Sequence, residues 1–155
     1  EAYTSDFEKF TKLSDIYIAG HFHANNAPMI LTQEMLNAKD CKIRVIADIS
    51  CDINGPIAST LRSSTIAEPL YGYLPSENKE VDMFHPAPIV VMAVDNLPCE
   101  IPKDASEGFG EQFMEHVIPA FFNGDKNGIL QRAKITENGK LTERFSYLQD
   151  YVDEK

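Results

Sequence analysis

The chain has 155 residues, 43% of them hydrophobic, the size of one ordinary domain with enough apolar side chains to bury about two-thirds of its unfolded surface. Twenty-four acidic residues against 14 basic ones leave a formal net charge of −10, which repels phosphate backbones and anionic membrane surfaces. Nucleic acid and membrane are thereby disfavoured as partners, and small molecules or proteins are expected instead. Cys41, Cys51 and Cys99 are odd in number, form no CxxC pair and fit no disulfide framework, so a reducing, cytoplasmic setting is expected. The first ten residues lack the basic and apolar regions of a signal peptide, and no apolar run approaches the ~20 residues of a membrane span. The chain starts without methionine and directly in a helical pattern, as an internal segment of a longer polypeptide would.

Ser5 reads as an N-cap ahead of Phe7, Phe10 and Leu13, whose spacing predicts a short amphipathic helix. A strand is predicted over Asp15–Ala19, ending in Gly20 and a polar loop from His21 to Asn26. Thr32 opens a further short helix in the manner of a capping box. The run Lys42–Asp48 predicts a second strand, apolar throughout its middle, as strands covered on both faces of a parallel sheet are. From Ile49 to Pro86 the pattern is irregular, with a turn at Gly55-Pro56, a Ser/Thr-rich stretch through Thr65, and a short strand or excursion at Leu70–Tyr73. A third strand, Pro88–Val94, breaks at Asp95-Asn96-Leu97-Pro98. A helix then starts near Asp104, with Phe109, Phe113, His116 and Val117 at helical spacing until Pro119 disturbs it. A short helix near Ile129, a turn at Glu137–Lys140 and a terminal helix over Thr142–Tyr151 complete the chain.

Strands alternating with helices define an α/β fold with a doubly wound parallel sheet, in which ligands bind beyond the carboxyl ends of the strands. The functional loops are then Gly20–Asn26, Ile49–Asn54 and Asp95–Leu97. Gly108-Phe109-Gly110 lacks the third glycine of a phosphate cradle and lies inside a helix, so close helix packing is its expected role. His21 and His23 alternate along a loop, but two histidines without a third ligand do not make a metal site, and no metal is expected. His116, on the face shared with Phe109 and Phe113, reads as a core histidine, and His85 has no assigned role.

The strings Val45-Ile46-Ala47-Asp48-Ile49-Ser50-Cys51-Asp52-Ile53-Asn54-Gly55, Ser63-Ser64-Thr65-Ile66, Ala93-Val94-Asp95-Asn96-Leu97-Pro98 and Pro102-Lys103-Asp104-Ala105-Ser106 carry a resemblance. The chain resembles the C-terminal portion of the saccharopine dehydrogenase branch of the alanine dehydrogenase and transhydrogenase superfamily, from Asp15 to about Val152. The resemblance implies that residues 1–100 are the C-terminal half of a Rossmann-like NAD domain and that 101–155 return, largely as helices, to the substrate domain. It also implies an NAD-dependent oxidoreductase that cleaves saccharopine to L-lysine and 2-oxoglutarate, with the glycine-rich turn and the proton-handling lysine and histidine upstream of this segment.

Residue by residue, the resemblance implies that Val94, Asp95, Asn96 and Leu97 approach the nicotinamide and its ribose. Ile49 and Ser50 fall in a second cofactor-facing stretch, and His21 lies in a loop beside the cofactor. Asp52 matches an acidic residue at the active-site mouth of the alanine dehydrogenase relatives and is the candidate for proton handling, with a turn-capping role as its structural alternative. Alanine or another amino acid as substrate, and a non-enzymatic module built on half the fold, are the competing readings. Half a doubly wound sheet exposes a strand edge and an apolar face, so a homo-oligomer, a domain swap or the missing part of the protein is expected to cover them.

Overall fold

A computed structural model describes residues 5–23 and 27–154. Part of the predicted His21–Asn26 loop, residues 24–26, and the first four residues of the predicted amphipathic start lie outside the described residues. The chain divides into two compact units, the boundary falling between Glu100 and Ile101.

The first unit opens with a single helical turn, α1 (Glu8–Thr11), and then β1 (Ile16–Ala19), α2 (Gln33–Asn37), β2 (Val45–Asp48), β3 (Leu70–Leu74), β4 (Lys79–Val81) and β5 (Ile89–Met92). One five-stranded sheet runs in the order β1-β2-β5-β3-β4. β1, β2 and β5 are parallel, in a register that sets Ala19 beside Asp48 and Ala47 beside Met92. β3 and β4 run antiparallel at the far edge. The expected α/β fold, a part of a Rossmann-like sheet, is present, and the short strand or excursion expected at Leu70–Tyr73 is β3, which pairs with an unforeseen β4 in an antiparallel hairpin that extends the sheet.

Strand alternation sorts the side chains of this sheet into two faces. Tyr17, Ala19, Ile46, Asp48, Ile89, Val91, Tyr71 and Tyr73 share one face, and Leu31, Leu36, Cys41, Ile43 and Ile57 pack into the same core. A clasp between two connecting segments closes that layer: Leu31 N–H donates to Pro56 O at 3.0 Å and Ala58 N–H to Leu31 O at 2.9 Å. The opposite face bears Ile16 and Ile18, which are 62% and 65% exposed. Both are β-branched residues on a parallel strand, where coverage on each side is the rule.

Two local expectations change at the start of the chain. Ser5 does not hold the N-cap position of α1, which is Phe7; its hydroxyl accepts from Phe7 N–H at 3.3 Å and donates to Ile30 O at 2.6 Å. The helix stays one turn long because Asp15 O is already receiving Arg44 N–H, which commits the following residues to the sheet. Thr32 does cap α2, accepting from Met35 N–H at 3.3 Å, but a reciprocal box is missing because Met35 carries no carboxylate.

In the second unit α3 (Pro102–Gln112) passes through a π turn at Phe113–Val117 into α4 (Ile118–Phe122). The disturbance expected at Pro119 is present as the π turn just ahead of it, and Pro119 itself falls in the first turn of α4, where its missing N–H is not required. His116 is not a core residue: its side chain is 57% exposed, and the face predicted from Phe109 and Phe113 is itself open, Phe109 being 70% exposed. Nor do Gly108 and Gly110 mark close packing, as a Cβ at either would meet nothing within 4 Å. Beyond α5 (Ile129–Ala133), a hairpin of β6 (Thr136–Glu137) and β7 (Lys140–Leu141) turns through Asn138 and Gly139, both at positive φ. The terminal helix is split into a 3-10 stretch, Glu143–Leu148, and α6 (Gln149–Val152), interrupted by the non-helical backbone of Phe145.

Tyr73 gives the core a pH dependence. Its hydroxyl donates to Asn78 Oδ1 at 2.7 Å, and burial, helped by the charge of Glu34 and by Tyr71, pushes its pKa from 10.0 up to about 12. The fold accommodates the neutral phenol, so this contribution is complete below pH 10 and is lost as the pH rises through about 12. Urea midpoints measured from pH 9 upward are expected to decline more steeply in the wild type than in Tyr73→Phe, and parallel declines would contradict the assignment.

Candidate functional site

Because β1, β2 and β5 are parallel, the loops that follow them leave the sheet at one edge. The β2 loop is built on Asp48, the last residue of the strand and fully buried. Its Oδ1 accepts from Ser50 N–H at 3.1 Å and from the Ser50 hydroxyl at 2.6 Å, and its Oδ2 accepts from the Thr60 hydroxyl at 2.5 Å. An Asp followed two residues later by Ser is a turn former, the side chain replacing the backbone acceptor that the strand can no longer supply. Cys51 follows in the left-handed region with φ 48°, and Gly55 N–H closes the next turn on Asp52 O at 3.0 Å. A Cβ at Gly55 would stand 2.6 Å from Asp52 Cβ, so the turn that presents Asp52 requires glycine there.

The β5 loop is held from the side. Ser64 N–H donates to Ala93 O at 2.8 Å, and the Ser64 hydroxyl accepts from Ala93 N–H at 3.0 Å while donating to Pro69 O at 2.9 Å. Val94 is consequently buried in a parallel bridge with Ser64, and Asp95 and Asn96 stand exposed just beyond it. Leu97 opens a 3-10 turn, Leu97–Glu100, in which Asn96 O receives Cys99 N–H at 3.0 Å.

Of the residues singled out from sequence, Ile49, Ser50 and Asp52 sit on the β2 loop, and Val94, Asp95, Asn96 and Leu97 sit on the β5 loop at the same sheet edge. Ile49 N–H donates to Ala19 O at 2.9 Å, which extends the pairing with β1 by one step and leaves its side chain half exposed. His21 follows β1 after Gly20; its Nε2 is shielded from solvent and has no hydrogen-bond partner among the described residues. His23 lies apart, its Nε2 3.2 Å from Pro28 O. Asp48, Thr60 and Ser64, which organise both loops, were not marked by sequence as site residues. The signal that could have found Asp48 is an acidic residue ending an otherwise apolar strand.

Electrostatics link the two loops. Burial raises the pKa of the Cys51 thiol, and the carboxylates of Asp48, Asp52 and Asp95 raise it further. Cys51 is thus held as a thiol, which argues against a nucleophilic role. A groove of about 330 Å³ beside the β2 loop is lined by Thr32, Gln33, Asn54, Thr60 and Asn78 among others, with no Lys or Arg to receive a phosphate. The edge as a whole presents amide, hydroxyl and carboxylate groups. It suits hydroxyl, amide or cationic ligand groups better than anionic ones.

The sheet and its loops therefore define an α/β protein of the kind that receives a ligand beyond the carboxyl ends of parallel strands. No family model matches the chain. Among known proteins it is 32% identical over 130 residues to the NAD(+), L-lysine-forming saccharopine dehydrogenase of Schizosaccharomyces pombe, covering 81% of this chain and 33% of that protein. It is 29% identical over 147 residues to the alpha-aminoadipic semialdehyde synthase of Arabidopsis thaliana, covering 91% of this chain and 14% of the relative. For the mitochondrial synthase of Mus musculus the identity is 26%, over 96% of this chain and 19% of the relative. Over most of its length the chain is a homologue of the saccharopine dehydrogenases and the alpha-aminoadipic semialdehyde synthases, and it spans a third or less of these relatives.

The electrostatic reading of Cys51 has a direct consequence. Replacing Asp52 and Asp95 together by Asn removes two charges that oppose the thiolate, so Cys51 is expected to alkylate roughly twofold faster or more at pH 7.5. Peptide mapping after iodoacetamide treatment reads the rate, and an unchanged rate would show that the two loops do not share a field.

Proposed function

We propose that this chain forms the nicotinamide side of the cofactor site in an NAD-dependent saccharopine dehydrogenase. The observation that carries the reading is the meeting of the β2 and β5 loops at the carboxyl edge of parallel strands, with Ser50, Asp52, Asp95 and Asn96 on one rim. When bound, NAD accepts hydride from the carbon beside the secondary amine of saccharopine, and water hydrolyses the resulting imine to L-lysine and 2-oxoglutarate.

The residues present fit that group at its nicotinamide end. Asp95 and Asn96 offer a carboxylate and an amide to ribose hydroxyls and a carboxamide, and the half-exposed Ile49 offers an apolar surface to a ring. The carboxylates around Cys51 favour a positively charged ring, and His21 Nε2, without a partner among the described residues, leaves a polar atom for a ligand at the same edge. They do not fit a pyrophosphate, for which this edge offers neither cation nor glycine-rich turn. Asp52, exposed at the rim, is the proton-handling candidate. The apolar face bearing Ile16 and Ile18 is covered in the whole protein by the rest of the polypeptide or by a second copy. The three free cysteines fit a reducing compartment, such as the cytoplasm.

A second reading has a specific observation behind it. The match to the Arabidopsis synthase covers more of this chain than the match to the fission yeast dehydrogenase does, 91% against 81%. The whole protein would then be a longer polypeptide of the synthase kind.

Assays of the full-length protein with saccharopine and NAD, with lysine, 2-oxoglutarate and NADH, and with alanine and NAD separate the substrates. Activity with the first two pairs alone is expected, and alanine turnover without saccharopine turnover would contradict the proposal. Release of alpha-aminoadipic semialdehyde in place of lysine would favour the synthase reading. Asp95→Ala is expected to raise the KM for NAD about tenfold, as loss of a charged hydrogen bond does, whereas Asp52→Asn is expected to lower kcat roughly 10²-fold with little change in KM.

A further inference from the structure

A serine hydroxyl has one proton to donate and two lone pairs to accept with. In this protein the Ser50 proton is already placed: its Oγ lies 2.6 Å from Asp48 Oδ1, within a carboxylate that has no solvent exposure and accepts hydrogen bonds only. Rotation of that hydroxyl toward a ligand would leave a buried carboxylate oxygen without its shortest donor. The Thr60 hydroxyl, 2.5 Å from Asp48 Oδ2, is fixed in the same way but is buried. Ser50 is partly exposed on the loop that carries Asp52, whereas Thr60, 2% exposed, borders the groove beside that loop.

We propose that Asp48 is a positioning residue that makes Ser50 an obligate hydrogen-bond acceptor for an N–H or O–H donor at the nicotinamide end of the cofactor. The inference rests on the NAD reading given above. The donor is either the carboxamide NH2 or a ribose hydroxyl, which share the chemistry Ser50 selects. A group that only accepts, such as a ketone or a carboxylate, finds no partner in Ser50. Asp48 acts through Ser50 and does not itself touch the ligand.

Fluorescence titration of the full-length protein with NADH and with its 3-acetylpyridine analogue, in which a ketone replaces the amide, tests the proposal. Ser50→Ala is expected to weaken NADH binding about five- to tenfold, the net value of one hydrogen bond. Asp48→Asn keeps a carbonyl oxygen for the Ser50 proton and is expected to stay within about threefold of wild type. Asp48→Ala is expected to fall between wild type and Ser50→Ala, since a freed Ser50 still accepts but is no longer oriented, and the double variant to be no weaker than Ser50→Ala. If the carboxamide is the donor, Ser50→Ala erases the preference for NADH over the analogue; if a ribose hydroxyl is the donor, both ligands weaken alike. Wild-type affinity in Ser50→Ala would overturn the proposal, as would additive losses in the double variant. Should Asp48→Ala not fold, Ser50→Ala and Asp48→Asn still decide it, since an Asn variant as weak as Ser50→Ala would mean that charge, not orientation, is what Asp48 supplies. A wild-type protein that binds neither nucleotide would overturn the NAD reading together with this one, an outcome distinct from a binding wild type beside an unaffected Ser50→Ala.

Discussion

A carboxylate removed from water must be met by donors, and the placement of Asp48 imposes that demand on the carboxyl end of β2. The Ser50 backbone, the Ser50 hydroxyl and the Thr60 hydroxyl answer it. To reach Asp48, Thr60 must be carried across the covered face by the segment that Leu31 clasps to Pro56 and Ala58, and this same segment closes the core over Ile46 and Val91. One buried charge thereby ties the strand, its covering layer and its exit loop together. The loop geometry at the edge is a result of how the core is satisfied.

The β5 loop reaches the same edge by a different device. Here no charge is buried; Ser64 uses its backbone and its hydroxyl to saturate both polar groups of Ala93, which extends the parallel pairing beyond the strand and lets Asp95 emerge at a fixed place. The antiparallel hairpin of β3 and β4 supports this arrangement from outside. Tyr71, on β3, donates to Ser59 O at 2.9 Å and stacks under Arg62, whose guanidinium pairs with Glu80 on β4 at 2.8 Å. The exposed ion pair contributes little by itself, but it sits over the ring that anchors the 59–62 segment.

Much of this was legible in the sequence, and the reasons for the rest are physical. The three parallel strands could be read because Ile16–Ala19, Val45–Asp48 and Ile89–Met92 are apolar runs bounded by polar loops, and the edge that carries Ser50, Asp52, Asp95 and Asn96 follows from strand direction alone. The hairpin was hidden because Lys79-Glu80-Val81 is a short, charged edge strand, and periodicity says little over three residues. His116 reads as core from its spacing with Phe109 and Phe113, but that face is itself exposed, and helical spacing alone does not say which face a helix buries. Ser5 looked like a cap because it does accept locally from Phe7 N–H, but its hydroxyl proton goes to Ile30, 25 residues away, which no local pattern shows. Asp48 and Thr60 were missed for the same reason, since a pairing across 12 residues through an irregular segment has no local pattern. The resemblance to the dehydrogenases located the loops; only the structure showed what holds them.

In the proposed function the β2 and β5 loops together face a nicotinamide nucleotide. Hydrogen–deuterium exchange of the full-length protein with and without saturating NADH tests it most directly, because exchange reads each loop separately and needs no substrate. Slower exchange is expected at residues 49–54 and 94–99, with the β3–β4 hairpin, residues 70–81, unchanged. Unaltered exchange at both loops, with protection elsewhere proving that the nucleotide is bound, would contradict it.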